Sequence, residues 1–135
     1  MQGGDLSNET GPRVAVTVDC ILNRTPVITK LLGFIPKVHE EVEYDRQMLS
    51  KFWKFSAKQG YVMELVGFGY TQSDMNDFIK DIDNLGTNPF NYAKAYNVVA
   101  DLVAELPYRN ELKFVIDIPS RALRYGSRFY DLGRV

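Results

Sequence analysis

The chain has 135 residues, of which 45% are hydrophobic and 24% are charged, a composition typical of a globular domain and not of a disordered segment. This length allows one hydrophobic core and is too short for two. With 16 basic and 17 acidic residues the formal net charge is −1, so no overall field attracts the protein to nucleic acid or to an anionic membrane. The single cysteine, Cys20, excludes an intramolecular disulfide.

The beginning of the chain predicts a polar arm without a targeting signal. Residues 1–12 show no periodicity, and they lack the basic start and the apolar run of a signal peptide. No apolar stretch approaches the roughly 20 residues that cross a bilayer. We therefore expect an arm over 1–12, a single domain over 13–135, a cytoplasmic location and no membrane partner.

Three apolar runs predict strands. Residues 13–20, 61–66 and 112–117 are rich in β-branched and apolar side chains, which is typical of strands covered on both faces, as in a parallel sheet. After the first run, Thr25-Pro26 favours a helix start, so that 27–33 forms a short helix or a loop. The following residues 34–42 allow a short hairpin or flap.

Three segments have helical periodicity. The first covers 44–59 and ends at Gly60, where a helix C-cap belongs. The second is capped by Ser73 and closes at Gly86. The third covers about 89–106, and its apolar side chains are expected to point inward: Tyr92, Ala95, Val98, Val99, Leu102 and Val103.

Strands that alternate with helices predict an α/β fold with right-handed crossovers. We expect a three-layer, Rossmann-like parallel sheet with helices on both faces. Three strands are few for such a sheet, so one or two further strands are expected in segments with weaker patterns.

Three positions fall where ligands bind in open parallel sheets, beyond the carboxyl ends of the strands. Asp19 closes the first strand, residues 67–69 close the second, and Asp117 closes the third. Two neighbouring carboxylates repel each other unless a cation lies between them, and Mg²⁺ prefers such oxygen ligands. The alternative is that each aspartate caps a helix or a turn.

Glycine and arginine residues give two weaker signals. The pair Gly67 and Gly69 allows either a plain turn or a backbone cradle for an anion. The C-terminal segment interleaves arginine with aromatic residues, which either bind a phosphate, a nucleic-acid strand or a protein, or pack on the sheet and leave the arginines in water. This segment contains Arg121, Arg124, Arg128 and Arg134 with Tyr125, Phe129 and Tyr130.

Taken together, three features resemble the small capless members of the haloacid dehalogenase-like superfamily of phosphohydrolases. These are the apolar strand that ends in Asp19, the helix-glycine-strand passage over 44–66, and the strand that ends in Asp117 with the tail 121–126. The resemblance implies that Asp19 is the nucleophile and a Mg²⁺ ligand, with the backbone carbonyl of Ile21 and the carboxylate of Asp117 as further ligands. Through an aspartyl-phosphate, one difficult displacement is split into two easier ones.

The chain departs from this family pattern at several positions. Ile21 stands where the family has its acid/base aspartate, Gly67 where it has threonine or serine, and Ile118 where a second acidic residue follows Asp117. Lys94 is the nearest candidate for the family's lysine, but its surroundings do not match. Losing the acid/base alone removes a factor of roughly 10² to 10⁴ in rate.

These departures lead to three hypotheses. The first is a haloacid dehalogenase-like domain without most catalytic motifs that serves in binding, regulation or assembly, as a homo-oligomer or with a protein partner. The second is a Mg²⁺-dependent phosphohydrolase of a small phosphoester, with Gly67, Gly69, Lys94 and Arg121 as candidate substrate-binding residues. The third is a virion or other structural protein that uses its arm and tail as tethers.

Overall fold

The computed structural model describes residues 11–90 and 95–135, so residues 1–10 of the predicted arm and Lys94 lie outside the described residues. In chain order the elements are β1 (Arg13–Thr17), β2 (Leu22–Leu31), β3 (Ile35–Tyr44), α1 (Arg46–Gln59), β4 (Val62–Phe68), α2 (Gln72–Asn84), β5 (Ala95–Val98), α3 (Leu102–Glu105), β6 (Leu112–Asp117), α4 (Ala122–Tyr125) and β7 (Phe129–Asp131). None of the helices in these ranges is long and apolar enough to span a bilayer.

Within the described residues the main sheet has five strands in the order β5-β4-β1-β6-β7, and every neighbouring pair is parallel. Counted along the chain among these five, the order is third, second, first, fourth, fifth, which is the order of a doubly wound α/β fold. The predicted parallel sheet is confirmed. One or two further strands were expected, and the sheet contains two, β5 and β7.

Helices lie on both faces of this sheet, and the sheet divides the hydrophobic core into two clusters. On one face the side chains of Val14 and Val16 pack with α1 and α2, as part of a cluster that includes Leu49, Phe52, Met75 and Ile79. On the other face Ala15 packs with the shorter helices α3 and α4, in a cluster that includes Leu102 and Tyr125. The alternation follows from the period of two along a strand, and it gives the three layers that the sequence predicted.

Local chemistry sets the ends of the two long helices. Asp45 caps α1 by accepting a hydrogen bond from the Met48 N–H at 2.9 Å, and Gly60 ends it in the left-handed region at φ 70°. For α2 the predicted cap at Ser73 was wrong, because Thr71 is the cap residue two positions earlier, forms a capping box with Asp74 and places Ser73 inside the helix. Both helices are confirmed.

The predicted helix over 89–106 was wrong for most of its described part, where only Leu102–Glu105 is helical. Residues Ala95–Val98 form β5 beside β4, and Asp101 begins the short helix α3 by accepting hydrogen bonds from the Val103 and Ala104 N–H groups. Val99 lies between them and is 79% exposed, where we expected an inward side chain. Asn97, Val98 and Val99 are weak helix formers, and hydrogen bonds to the neighbouring strand β4 favour a strand over a helix in this segment.

Residues 22–44 form a separate antiparallel hairpin of β2 and β3. The short hairpin or flap expected within 34–42 is in fact one strand of this longer hairpin, and the short helix or loop expected over 27–33 was wrong, because these residues belong to β2. Proline is tolerated in a two-stranded hairpin, where each strand is an edge strand, and Val27, Ile28 and Thr29 are β-branched residues that favour strands. The chain reverses through a tight turn in which Leu32 and Gly33 both have positive φ, closed by a hydrogen bond from the Phe34 N–H to the Leu31 carbonyl.

Candidate functional site

The carboxyl ends of β1 and β6 form the centre of the candidate site. The crossovers on the two sides of β1 run over opposite faces of the sheet, so the gap between β1 and β6 is the switch point where such folds bind ligands. Asp117 is the last residue of β6. Strand β1 ends at Thr17, and a 3-10 turn, Val18–Cys20, follows it and contains Asp19, two residues beyond the strand. Asp19 therefore lies at the same edge of the sheet as Asp117, and this edge is called the rim. The predicted meeting of the two aspartates is observed, since one arginine contacts both.

Asp117 is fully buried and its carboxylate is saturated with donors. One oxygen accepts hydrogen bonds from the Thr17 hydroxyl at 2.6 Å and from the Ile118 N–H at 2.8 Å. The other accepts from the Tyr125 hydroxyl at 2.7 Å. Arg121 donates to both oxygens, at 2.8 Å and 3.0 Å. Such a set offsets the cost of burying a charge, which would otherwise be large.

Asp19 is more open, since its side chain is 32% exposed. One carboxylate oxygen accepts a hydrogen bond from Arg121, and the other lies 3.7 Å from the guanidinium of Arg24. Arg24 comes from β2 of the hairpin, and it also donates to the Tyr70 hydroxyl at 2.5 Å. The base of the hairpin is thereby attached to the rim of the sheet.

Arg121 connects the two carboxylates. It lies four residues after Asp117, in a 3-10 turn that begins with Pro119, and this turn brings the guanidinium back over the end of β6. Partial burial alone would lower the pKa of Arg121, but the hydrogen bonds and charges of Asp117 and Asp19 raise it above its usual value. The arginine therefore stays charged and supplies the cation that two adjacent carboxylates require.

Two side chains beside this ion cluster, Cys20 and Tyr125, have raised pKa values. Burial raises the pKa of Cys20 to about 12, although its contact with the Thr17 hydroxyl acts in the opposite direction. Burial and the hydrogen bond to Asp117 raise the pKa of the Tyr125 hydroxyl as well. Both side chains are therefore neutral near pH 7, and neither is an activated nucleophile.

The glycine pair and the arginine-aromatic segment meet at Phe68. The guanidinium carbons of Arg121 and Arg124 lie 5.4 Å and 4.7 Å from the centre of the Phe68 ring, within the range of cation–π attraction. Gly67 has no room for a side chain, because a Cβ there would lie 2.6 Å from the Tyr70 ring. Gly69 has φ 73° and donates its N–H to the Val98 carbonyl at 3.1 Å, so that amide is already paired.

The atoms expected to bind Mg²⁺ do not fit an ion as they are placed. The Asp117 oxygens are used by five donors, and the Ile21 carbonyl accepts a hydrogen bond from the Asp45 N–H at 2.8 Å. Asp19 is held by two arginines. Across 11–90 and 95–135 no group of three or more histidine, cysteine, aspartate or glutamate side chains is arranged to hold a metal.

The structure brings together Asp19, Asp117 and Arg121 among the predicted site residues, places Gly67 and Gly69 next to Phe68 beside them, and leaves Lys94 outside the described residues. Sequence reasoning missed Thr17, Arg24 and Tyr125. The apolar strand gave no sign that Thr17 faces Asp117, and Arg24 depends on the hairpin. Tyr125 stood in the arginine-aromatic segment without a predicted partner.

Comparisons of the chain with protein-family models, curated proteins and solved structures gave no match.

Proposed function

We propose that the chain is a haloacid dehalogenase-like domain that has lost most of its catalytic motifs and acts as a binding, regulatory or assembly component. The observation that carries this proposal is the guanidinium of Arg121, which donates to both Asp19 and Asp117. A side chain of the protein itself thereby supplies the positive charge that a metal ion would supply in a phosphohydrolase of this kind.

Three features of the fold support the family assignment. The strand order places β1 at the centre of a five-stranded parallel sheet. A turn that carries an aspartate follows β1 directly, and a hairpin follows that turn. The second aspartate ends the adjacent strand β6 at the same rim. The sequence resemblance rests on the same segments of the chain.

Two properties of the rim support the proposed loss of catalysis. An attacking carboxylate needs a free oxygen, but both Asp19 oxygens face arginine side chains. The position of the missing acid/base is Ile21, whose side chain is fully buried and cannot transfer a proton. Proton transfer by a positioned side chain accounts for about 10² to 10⁴ in rate, so the remaining groups leave little activity.

The competing proposal is a Mg²⁺-dependent phosphohydrolase that uses Asp19. The observation in its favour is that Asp19 is one-third exposed and lies beside Arg24 and Arg121, which are groups that attract a phosphoryl anion. In that case Arg121 has to leave Asp117 before an ion can bind, at the cost of a buried charge pair.

Turnover of a generic aryl phosphate, with and without Mg²⁺, separates the two proposals. We compare the unmodified chain with Asp19→Asn and with Asp83→Asn, a matched change at the far end of α2. The proposal expects no Mg²⁺-dependent turnover in any of the three proteins. Turnover that Asp19→Asn abolishes and Asp83→Asn retains would overturn it, and turnover shared equally by all three does not use Asp19.

A further inference from the structure

The hairpin of β2 and β3 has one face that is apolar at its centre and exposed along most of its length. Paired residues across a hairpin lie on the same side, and residues two apart along a strand share a face. From the observed register, the face that contains Ile28, called the Ile28 face, consists of Arg24, Pro26, Ile28 and Lys30 on β2 and Pro36, Val38, Glu40 and Val42 on β3.

The centre of the Ile28 face is the pair Ile28 and Val38, whose side chains are 68% and 64% exposed, and Val42 nearer the base is 48% exposed. Leu32 and Phe34 at the turn are 83% and 71% exposed. A two-stranded hairpin is marginally stable without a covered face, and a contiguous apolar strip of this kind marks an interaction surface.

Two of the three charges on the Ile28 face, those of Lys30 and Glu40, lie symmetrically about its centre, and the third, Arg24, pairs with Asp19 at the rim. Lys30 lies two residue pairs beyond Ile28 and Val38 toward the turn, and Glu40 lies two residue pairs toward the base, so each is about 7 Å from the centre along the strands. Within the described ranges no ion pair involves either side chain. A two-fold axis through the centre therefore brings Lys30 of one copy level with Glu40 of a second copy.

We propose that the Ile28 face is the contact surface between two copies of this chain, packed face to face and antiparallel about that axis. Ile28 then meets Ile28 of the second copy, and Val38 meets Val38 of the second copy. Lys30 lies diagonally opposite Glu40 of the second copy, and the reverse pair forms by symmetry. A surface that complements itself in this way is the requirement for a closed two-fold dimer.

The same axis brings the turn of one copy to the base of the other. Leu32 comes opposite Arg24 of the second copy, and Phe34 comes opposite Val42 of the second copy. Arg24 contacts Asp19 and Tyr70 at the rim, so the apolar turn of one chain lies next to the carboxylate rim of its neighbour. This contact extends the interface beyond the strands, toward the roughly 800 Å² per partner of a standard interface.

The opposite face of the hairpin and its edges suit a second copy less well. The opposite face repeats the charge order with Lys37 and Glu41, but its central pair is the half-buried Val27 with His39, so its centre offers less apolar surface. Its exposed apolar residues, Leu31 and Ile35, lie at the end next to the turn. Edge-to-edge pairing through β2 meets Pro26, which has no N–H to donate. Pairing through β3 would bring Glu40, Glu41 and Glu43 together as like charges.

Sedimentation of the full chain tests this proposal with reversed charges. Lys30→Glu and Glu40→Lys are each expected to raise the dimer dissociation constant about tenfold, because each turns two attractive pairs into two repulsive ones. The double variant Lys30→Glu/Glu40→Lys restores the attraction with exchanged signs and is expected to recover the dimer. The matched controls Lys37→Glu and Glu41→Lys on the opposite face are expected to leave it unchanged.

Three results with the unmodified chain and the charge-reversal variants would overturn the proposal. They are an unmodified chain that stays monomeric up to about 1 mM, a dimer that tolerates both single reversals, and a dimer that weakens only with the control variants. Because Ile28 is exposed, Ile28→Thr keeps the hairpin and removes apolar contact, and a dimer unaffected by it also contradicts us. The inference rests on the proposed assembly role, yet a monomeric chain would leave the loss of catalysis standing, and Asp19-dependent turnover would leave the dimer standing.

Discussion

Replacing Arg121 with methionine tests whether this arginine stabilises the rim as the structure indicates. The variant keeps the length and the apolar stem of the side chain but removes the guanidinium that donates twice to the buried Asp117. Breaking a buried ion pair costs about 3–5 kcal/mol. Because Arg121 is 25% exposed and Asp117 keeps the Thr17, Ile118 and Tyr125 donors, we expect the lower end, about 3 kcal/mol. For a chain of this size that corresponds to a melting temperature lower by about 10 °C.

Arg124→Met is the control, because Arg124 lies on the same Phe68 ring but, within 11–90 and 95–135, donates to the Ala100 carbonyl and not to either aspartate. We expect a loss of less than about 1 kcal/mol there. Urea unfolding of both variants measures the difference, and the double variant Asp117→Asn/Arg121→Met should show a coupling above about 1.5 kcal/mol. Equal losses in Arg121→Met and Arg124→Met would refute the reasoning.

Three further predictions concern packing, thiol reactivity and pH. Gly67→Ala should lower stability by about 1–3 kcal/mol, because its Cβ would lie 2.6 Å from the Tyr70 ring; an unchanged urea midpoint would contradict this. Cys20, with a pKa of about 12 caused by burial, should react with a thiol reagent near pH 8 only after unfolding, and rapid labelling of the folded chain would be evidence against its burial. Backbone hydrogen bonds, first from Val99, lower the pKa of Glu105 below its ordinary value of 4.5. The ionised Glu105 side chain therefore stabilises the fold above that pH, and this stabilisation is lost as the pH falls. Glu105→Gln should reduce stability near pH 7 and have no effect near pH 2. An equal loss of stability at both pH values would contradict the assignment.

The strong patterns of the sequence predicted the fold class. Continuous apolar strands, the cap at Gly60 and the periodicity of α1 and α2 are local signals, so the parallel sheet with helices on both faces could be foreseen. Strand β5 could not, because Ala95–Val98 depends on hydrogen bonds to β4 that leave no local mark. A short hairpin or flap was expected within 34–42, but the hairpin covers 22–44. Its first strand was missed because Pro26 suggested a helix start, where β3 in fact supplies a partner strand.

The rim was predicted in outline and not in its chemistry. That Asp19 and Asp117 approach each other follows from their positions after parallel strands. The position of Arg121 between them depends on the turn that begins at Pro119. The other hydrogen bonds to Asp117 come in part from Thr17, which is distant in sequence, and from Tyr125, for which the sequence predicted no partner. Side-chain pairing across a rim depends on tertiary structure, and no rule of sequence spacing predicts it.

Titration calorimetry with Mg²⁺ tests most directly whether Arg121 takes the place of a metal ion. For the unmodified chain we predict no saturable binding up to about 10 mM Mg²⁺, and for Arg121→Met we predict measurable binding that Asp19→Asn removes. Saturable binding to the unmodified chain that requires both Asp19 and Asp117 would contradict the account.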